Sequence, residues 1–527
     1  MPREITQATL AEAEKLAALE LDDAERELVR ARVGALIETY AERRKLALPE
    51  TLSPALGFNP LLPGETLPEL SAAFARSPSD GASLPTDDVA IAFAPISRLA
   101  RWLESRALSS RRLTELYLAR LRRHGPTLEC VVTLCEERAL AQADRADREI
   151  ASGGYRGPLH GVPWGAKDLL DTAGIATTWG ATPFRGRVPE TDARVVARLE
   201  AAGAVLVAKL SLGELAQGDV WFGGKTRNPW QLSAGSGGSS AGSASAVAAG
   251  LVGFSIGSET LGSITFPCAT CGATGLRPTH GRVPRSGAMP LAWSLDKLGP
   301  ICRSAEDTAL VLAAIHGRDD GDPDSVTQPF GFDAGAPVLG LRVGFSRAWF
   351  EANGAHASEL AALDVLRGLG VELVDVALPD LPLRSVLRAL IFVESAAAFE
   401  ELTFSGRDDL LRQQESGSWP NVFRSAHFVP AVEYVQLQRV RRRVMEVAAA
   451  LFREVDVLVG PRDGGPLLLV SNASGHPALT VRAGFRADGT PTAVTLHGRL
   501  FDEGRLCRLG AALEHALGIR DRRPPLD

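Results

Sequence analysis

A segment rich in glycine and serine, residues 233–263, constrains the fold of this 527-residue chain more than any other feature. Such a composition is typical of a flexible linker. However, the segment contains an alanine-rich run at 241–250 and an apolar run at 251–256, which predict a closely packed helix followed by a buried strand. A linker needs neither element, so we expect the segment to lie inside a folded core.

Helical and strand patterns alternate in the chain before this segment. Apolar residues at helical spacing predict helices at 96–108, 111–123 and 193–202, and short apolar runs predict buried strands at 130–134 and 204–208. This alternation is typical of an α/β core. Hydrophobic residues make up 45% of the chain, which is enough to fill a large core.

The first 90 residues differ from the rest of the chain. Residues 1–47 are predicted to be helical, and seven prolines between Pro49 and Pro85 predict extended chain with little periodicity. We therefore divide the sequence into an N-terminal extension, residues 1–90, and a main domain, residues 91–527. The extension is interpreted as a packing appendage, with a substrate lid or a dimer arm as the alternatives.

Charge and apolar content exclude several classes of protein. The net charge is −6 and is spread without long like-charge blocks, which argues against a nucleic-acid partner. No segment has the roughly 18 consecutive apolar residues of a membrane helix, and the polar N-terminus predicts no secretory signal. We expect a cytoplasmic protein whose six cysteines are reduced thiols: Cys130, Cys135, Cys268, Cys271, Cys302 and Cys507.

Three short patterns nearly match known functional motifs. Residues 218–226 end in Gly-Lys-Thr, but a phosphate loop needs a glycine where Asp219 stands. Residues 294–297 match Ser-x-x-Lys, yet the partner motifs of penicillin-recognising enzymes are missing. Residues 268–271 have Cys-x-x-Cys spacing without a second ligand pair, which indicates packing rather than a metal site.

The nucleophile elbow of α/β-hydrolases, Gly-x-Ser-x-Gly, is the most serious competing motif. It occurs at 238–242, around Ser240, and at 253–257, around Ser255. The elbow requires a strand before the serine and a helix after it. The first copy follows Gly/Ser coil and the second has a strand running through it, so neither context fits.

Several ordered motifs together resemble the amidase signature family. The matching segments are 161–168 (GVPWGAKD), 237–243 (GGSSAGS), 262–264 (GSI), 271–279 (CGATGLRPT), 296–300 (DKLGP) and 472–478 (NASGHPA). Their order and spacing agree with the family over about residues 95–517, which would make residues 91–527 the catalytic domain. The resemblance implies a central, mixed, twisted sheet covered by helices, preceded in this chain by the helical extension.

The resemblance also implies a Ser-cisSer-Lys triad made of Ser263 as nucleophile, Ser239 as bridging serine and Lys167 as base. The two serines are 24 residues apart, as in the family. The chemistry is reasonable, because a serine hydroxyl needs a base within hydrogen-bond reach before it attacks an amide. A lysine can act as that base when burial lowers its pKa, and a hydroxyl can relay the proton because it both donates and accepts.

The oxyanion would be bound by backbone N–H groups of the turn that leads to the nucleophile, those of Thr260, Leu261, Gly262 and Ser263. This turn departs from the family pattern at two positions. Leu261 stands where the family usually has glycine, and Thr265 stands where it usually has arginine, which removes a cation near the site. Leu261 places a branched side chain beside the nucleophile, which would narrow the acyl pocket.

Candidate substrate-binding residues are Trp179, Phe222 and Gly237, with Trp164 and Leu261 as further pocket candidates. The expected function is hydrolysis of a C–N amide bond in a small molecule, without metal or cofactor, by a chain that is a possible homodimer. The same triad would serve an esterase or carbamate hydrolase. Two further alternatives are the A-type subunit of a tRNA-dependent amidotransferase and a non-catalytic binding member of the family.

Overall fold

The computed structural model describes residues 5–46, 52, 54–67, 69–379 and 381–526. The prediction made for Met1–Glu4 lies outside this part of the chain, as do Pro49 and Pro68 of the proline-rich stretch. In the described part, no helix is both long enough and apolar enough to cross a membrane.

Helices and strands alternate along the described residues and are numbered in chain order. The α-helices are α1 (Gln7–Ala17), α2 (Asp23–Arg43), α3 (Asp88–Ala92), α4 (Ile96–Glu104), α5 (Ser110–Leu128), α6 (Glu136–Ala151), α7 (Arg194–Ala201), α8 (Ala241–Ala248), α9 (Thr265–Cys271), α10 (Ala305–Ile315), α11 (Arg347–Ala352), α12 (Ala357–Gly368), α13 (Leu383–Ala398), α14 (Glu400–Phe404), α15 (Trp419–Ala426), α16 (Ala431–Glu454), α17 (Pro466–Ser474) and α18 (Glu503–Leu517). The strands are β1 (Phe74–Ala75), β2 (Val131–Leu134), β3 (Pro163–Lys167), β4 (Val205–Leu210), β5 (Val220–Trp221), β6 (Gly224–Lys225), β7 (Arg227–Asn228), β8 (Gln231–Gly235), β9 (Phe254–Glu259), β10 (Thr274–Arg277), β11 (Lys297–Cys302), β12 (Phe332–Asp333), β13 (Arg342–Phe345), β14 (Glu372–Asp375), β15 (Val457–Pro461), β16 (Ala478–Phe485) and β17 (Pro491–Gly498).

Eleven strands form one central sheet in the order β14-β13-β15-β17-β16-β10-β11-β9-β3-β4-β2. The sheet is mixed, because β3 runs parallel to both β4 and β9, whereas β9 runs antiparallel to β11. The strands near its middle are buried, as their apolar runs require. The predicted α/β fold with a mixed sheet surrounded by helices is confirmed.

The N-terminal extension contains two capped helices and an extended arm. The Thr6 and Asp22 side chains accept hydrogen bonds from the first turns of α1 and α2, which satisfies N–H groups that a helix leaves unpaired. The arm is anchored to the main domain where β1 pairs in parallel with β12. The assignment of residues 1–90 as a separate unit stays a prediction.

The Gly/Ser segment lies in the core, as predicted. Its alanine-rich run forms α8, every residue of which is buried. The predicted strand begins at Phe254 rather than at residue 251. A turn at residues 249–253 precedes the strand. In this turn, Gly250 has a φ of 64° and the Gly253 N–H donates to the Pro163 carbonyl.

Two neighbouring strands of the sheet bring the candidate chemistry together. Strands β3 and β9 are parallel, with Gly165 opposite Ser255 and Ala166 opposite Ile256. Their carboxyl ends therefore lie at the same edge of the sheet. Lys167 is the last residue of β3, and the turn that carries Ser263 follows the end of β9.

Candidate active site

The candidate base and the candidate bridging serine are in contact inside the protein. The Lys167 Nζ lies 2.8 Å from the Ser239 Oγ, although the two residues are 72 positions apart in sequence. Lys167 is 0% exposed and Ser239 is 1% exposed. Ser239 stands in the loop that enters α8, and the peptide bond between Gly238 and Ser239 is cis.

Two further hydroxyl groups contact the same lysine. The Lys167 Nζ lies 3.0 Å from the Ser240 Oγ and 2.8 Å from the Ser258 Oγ. Burial lowers the pKa of the Lys167 ammonium well below its ordinary range, while the carboxylates of Asp296 and Glu259 act in the opposite direction. A buried lysine surrounded by hydroxyls, with no carboxylate in ion-pair contact among the described residues, is suited to accept a proton.

Ser263 lies in the turn between β9 and α9 and is half-buried. Its carbonyl accepts the Ser240 N–H at 3.1 Å, which holds this turn beside the loop of Ser239. Gly262 has a φ of 88°, a conformation that a residue with a side chain rarely adopts. Within the described part of the chain, the Ser263 hydroxyl has no hydrogen-bond partner, so it is available for reaction.

The backbone of this turn presents a run of unused donors. The N–H groups of Thr260, Leu261, Gly262 and Ser263 donate to no group of the described residues. By contrast, the next two N–H groups in the chain, those of Ile264 and Thr265, are hydrogen-bonded, because both donate to Glu259 Oε2. The turn therefore offers donors for a developing oxyanion while its far end is fixed to the protein.

Residues 260–263, which end in the candidate nucleophile Ser263, are called the nucleophile turn. Glu259 connects this turn to the sequence motifs at 271–279, 296–300 and 472–478. Its Oε1 accepts hydrogen bonds from Arg277 Nη1 at 2.7 Å and from Asn472 Nδ2 at 3.0 Å. The Asn472 side chain in turn accepts one from Lys297 Nζ at 2.7 Å. All four side chains are almost completely buried. The motifs assign these residues no individual role, and the structure makes them one network beneath the turn.

Replacing Glu259 with glutamine is expected to lower the free energy of unfolding by about 3–5 kcal/mol, because Arg277 would keep a buried charge without its carboxylate. Urea-induced unfolding measures the change. The matched control is Glu351→Gln, which removes an exposed ion pair with Arg347 and should change stability by less than about 1 kcal/mol. Equal losses in the two variants would contradict the assigned role of Glu259.

The stability that Glu259 contributes is expected to depend on pH. Burial raises the pKa of Glu259, but the positive charges of Arg277 and Lys297 outweigh it and bring the pKa to about 2 from an ordinary 4.5. Because the folded-state pKa is the lower one, the stabilisation is complete above pH 4.5 and is lost as the pH falls towards 2. Measuring wild type and Glu259→Gln over this range should show the two stabilities converging.

The two departures from the family pattern have different surroundings. The Thr265 hydroxyl lies within hydrogen-bond distance of the Glu259 carboxylate. The guanidinium of Arg277 donates to the same carboxylate. A cation is therefore present near the turn, although position 265 does not supply it. Leu261 is half-buried and packs against the main hydrophobic core.

A cavity of about 170 Å³ adjoins the lysine side of the site. Ser258 and Thr260 line it, together with Asp296 and Arg285. Asp296 is fixed by the Thr260 hydroxyl at 2.6 Å and by the N–H groups of Leu291 and Ala292. The sequence did not predict this cavity. Most of its lining residues lie in the segment 285–298, and they meet Ser258 and Thr260 only in the folded chain.

The predicted substrate-binding residues lie outside this cavity. Trp179 is 1% exposed and packs on Phe184 in the core, and Trp164 is stacked on Phe254. Phe222 is half-buried, with the Arg185 guanidinium 4.8 Å from its ring centre. A role for these aromatic residues in substrate binding stays a prediction.

Gly237, the remaining candidate, stands two residues before Ser239 in the same loop. It has a φ of 70°, and a Cβ added there would lie 2.9 Å from the Phe266 ring. Glycine at this position therefore permits the close approach of the loop to α9.

Apart from Ser240, whose hydroxyl contacts Lys167, the residues of the competing motifs make structural contacts. Ser240, in the first Gly-x-Ser-x-Gly copy, precedes α8, and Ser255, in the second, is buried inside β9 and donates to the Ser243 carbonyl. Cys268 and Cys271 are buried free thiols of α9, and no cluster of potential metal ligands occurs among the described residues. Ser294 bonds to Glu394, and Lys225 lies in the small β5–β6 hairpin.

The chain is similar to known proteins over most of its length. A family model described as Amidase matches residues 112–507. The A-type subunit of the glutamyl-tRNA(Gln) amidotransferase of Anaeromyxobacter dehalogenans (strain 2CP-C) is 37% identical over 467 residues, which cover 79% of this chain and 94% of the relative. The putative amidase AmiD of Mycobacterium bovis (strain ATCC BAA-935 / AF2122/97) is 38% identical over 475 residues, covering 84% and 98%. Among solved structures, the native peptide amidase from Stenotrophomonas maltophilia superposes with a TM-score of 0.72 at 32% identity, covering 82% of this chain and 98% of that one.

Proposed function

The chain belongs to the amidase signature family, and on that premise we propose that it hydrolyses the C–N bond of a linear small-molecule amide through an acyl-enzyme formed on Ser263. The observation that carries this proposal is the contact between a buried Lys167 and Ser239, at 2.8 Å, beside a turn whose N–H groups are unused. A base, a relay and an oxyanion site are the parts that acyl transfer by serine requires.

In each half of the proposed reaction, a proton passes through Ser239 to Lys167 and then returns through Ser239. Neutral Lys167 takes a proton from the Ser239 hydroxyl while Ser239 takes the proton of Ser263, and the Ser263 oxygen bonds to the amide carbon. This step requires the Ser263 hydroxyl to turn towards Ser239 when substrate binds, because the two hydroxyls are not hydrogen-bonded to each other in the described part of the chain. The C–N bond then breaks, and the proton held on Lys167 returns through Ser239 to the departing nitrogen. In the second half, water adds to the ester by the same path, which releases the acid and regenerates Ser263.

The charge that develops on the carbonyl oxygen would be stabilised by the N–H groups of the turn before and at the nucleophile, those of Thr260, Leu261, Gly262 and Ser263. One such donor is worth about 3 kcal/mol in a hydrolase, or roughly a hundredfold in rate. The hydrogen bonds of Glu259 to the next two N–H groups support the function of the turn, because they hold its C-terminal end in place.

A fluorophosphonate probe and a panel of simple amides test this proposal. We expect one covalent adduct per chain, mapped to Ser263 by peptide mass spectrometry, and release of amine or ammonia from at least one amide. The control variant is Ser255→Ala, which removes a buried hydroxyl of β9 outside the site and should keep both properties. An adduct on Ser240 would overturn the assignment, and the absence of any adduct would favour a non-catalytic binding protein.

A second candidate function is that of the A-type component of an amidotransferase, favoured by the 37% identity to a protein of this kind. Such a protein would act on glutamine and depend on partner subunits. Assays of the isolated chain on glutamine and on simple amides separate these two functions. Activity on simple amides alone supports an independent amidase. Labelling of Ser263 without turnover of any simple amide supports the amidotransferase component. Ester and carbamate substrates belong in the same panel, since the triad is chemically able to cleave them.

A further inference from the structure

A pocket of about 80 Å³ at the opposite end of α9 from Ser263 is lined by six arginines. These are Arg98, Arg303, Arg482, Arg520, Arg522 and Arg523, and we call the site the arginine pocket. Gly272, which ends α9, forms part of its wall, whereas the nucleophile turn precedes the first residue of the same helix. The pocket is therefore separate from the candidate active site.

The charge of the arginine pocket contrasts with that of the whole chain. The chain has a net charge of −6, yet the pocket has six guanidinium groups and one lining carboxylate, Asp521. Arg98 forms an ion pair with Asp80. Within the described part of the chain, the other five arginines of the pocket form no ion pair with a carboxylate.

Three of the arginines contact neutral groups. Arg482 donates from its two terminal nitrogens to the carbonyls of Arg522 and Arg520, both at 3.1 Å, which ties the C-terminal tail to β16. The guanidinium of Arg522 lies 4.0 Å from the Phe485 ring centre. Similarly, that of Arg523 lies 5.0 Å from the Phe93 ring centre. Carbonyl oxygens and ring faces orient the cations without neutralising them.

Arg303 provides an unsatisfied donor at the same place. Its terminal nitrogens donate to the carbonyls of Val252 and Ala94, but its Nε is buried and has no partner in the described part of the chain. A buried donor left without an acceptor is destabilising. Burial lowers the pKa of Arg482 to about 10; the nearby carboxylates of Glu514 and Asp521 act in the opposite direction, and the charges of Arg522 and Arg520 act in the same direction as burial.

Most residues that line the arginine pocket lie outside the region that the family model matches. The family model matches residues 112–507, so Arg98 and the three arginines of the C-terminal tail lie beyond it. The pocket is therefore built mainly from the flanking segments of this chain. Its charge cannot be explained by a requirement of the amide chemistry.

We propose that the arginine pocket binds a small anion that carries phosphate groups. Like charges held close together repel, and an anion between them would remove that cost. Phosphate suits the site better than a single carboxylate, because its oxygens pair with several guanidinium forks at once. The source is a free phosphate or pyrophosphate ion, or the phosphate groups of a nucleotide.

Isothermal titration calorimetry of the full chain with sodium pyrophosphate tests the proposal. We expect saturable binding at one site, weakened by added salt as charge pairing requires. The double variant Arg520→Gln/Arg523→Gln should bind at least tenfold more weakly. Neither side chain makes a hydrogen bond within the described part of the chain, so the variant should keep the melting temperature of wild type. The matched control is Arg439→Gln, an exposed arginine of α16 that bonds only to Gln436 among the described residues and should bind as wild type does.

Separate titrations with phosphate and with ATP identify the source of the anion. Tighter binding of ATP than of pyrophosphate would assign the site to a nucleotide, and the reverse order would assign it to the free ion. The proposal is overturned if wild type binds none of the three anions saturably, or if the double variant binds pyrophosphate as tightly as wild type. Because the pocket is separate from the triad, either result leaves the proposed amidase activity to be judged by its own experiment.

Discussion

Ser263→Ala is expected to reduce kcat/KM for any amide substrate by at least about 10⁴-fold and to abolish labelling by a fluorophosphonate. The variant lacks the oxygen that forms the acyl-enzyme, and in hydrolases of this mechanistic type the loss of the nucleophile removes nearly all of the rate enhancement except that from binding and the oxyanion site. Steady-state kinetics and intact-mass analysis measure the two effects. Folding should be unaffected, because the Ser263 hydroxyl bonds to nothing in the described part of the chain.

Ser255→Ala is the control for this variant. Ser255 is also a serine of the Gly/Ser segment, but its hydroxyl donates to the Ser243 carbonyl within the core. We expect full labelling and activity near that of wild type, with only a modest loss of stability. If Ser263→Ala kept its activity, or if Ser255→Ala lost labelling, the acyl-enzyme would have to form elsewhere.

Lys167→Met is expected to reduce kcat/KM by about 10³–10⁴-fold, because it removes the base while keeping a side chain of similar length. The wild-type enzyme should show a matching pH dependence. Burial lowers the pKa of Lys167 well below its ordinary range, so the neutral, proton-accepting form is present at lower pH than for an exposed lysine. Below that pKa the lysine is protonated, so kcat/KM should fall as the pH falls through it.

Two comparisons make the Lys167 result specific. Ser258→Ala removes one of the three hydroxyls that contact Lys167 but keeps the lysine itself. We therefore expect kcat/KM to fall by at most tens-fold and the acid limb of the pH profile to shift. Lys225→Met removes an exposed lysine and should leave the profile unchanged. An acid limb that persists in the residual activity of Lys167→Met would show that another group titrates, and would contradict the role of Lys167 as base.

The fold class and the location of the candidate chemistry were accessible from the sequence. The α/β core followed from alternating helix and strand patterns, and the alanine-rich run of the Gly/Ser segment predicted α8 within two residues of its end. Lys167, Ser239 and Ser263 were recognised because they stand in ordered motifs with a fixed spacing. Local patterns and motif order are properties of the chain itself, so they can be read without knowing which residues meet in space.

Other features depended on contacts between distant parts of the chain. Ser258 contacts Lys167 across 91 positions, and Glu259 contacts Asn472 across 213. No local pattern predicts which hydroxyl or carboxylate reaches a given partner, since this depends on the register of β3 and β9 and on how the loops fold over the sheet edge. The buried position of Trp179 has the same cause, because its ring packs on Phe184 in the core.

The sequence by itself determined the α/β class, the family and the residues that could form a triad, since these depend on periodicity, residue type and order along the chain. Tertiary structure decided which groups surround Lys167, which N–H groups of the nucleophile turn are left unused, and where the arginines of both flanking segments meet. The physical reason is that hydrogen bonding, desolvation and Coulomb interactions act over a few ångströms of space, and folding brings within that distance groups that the sequence separates by hundreds of residues.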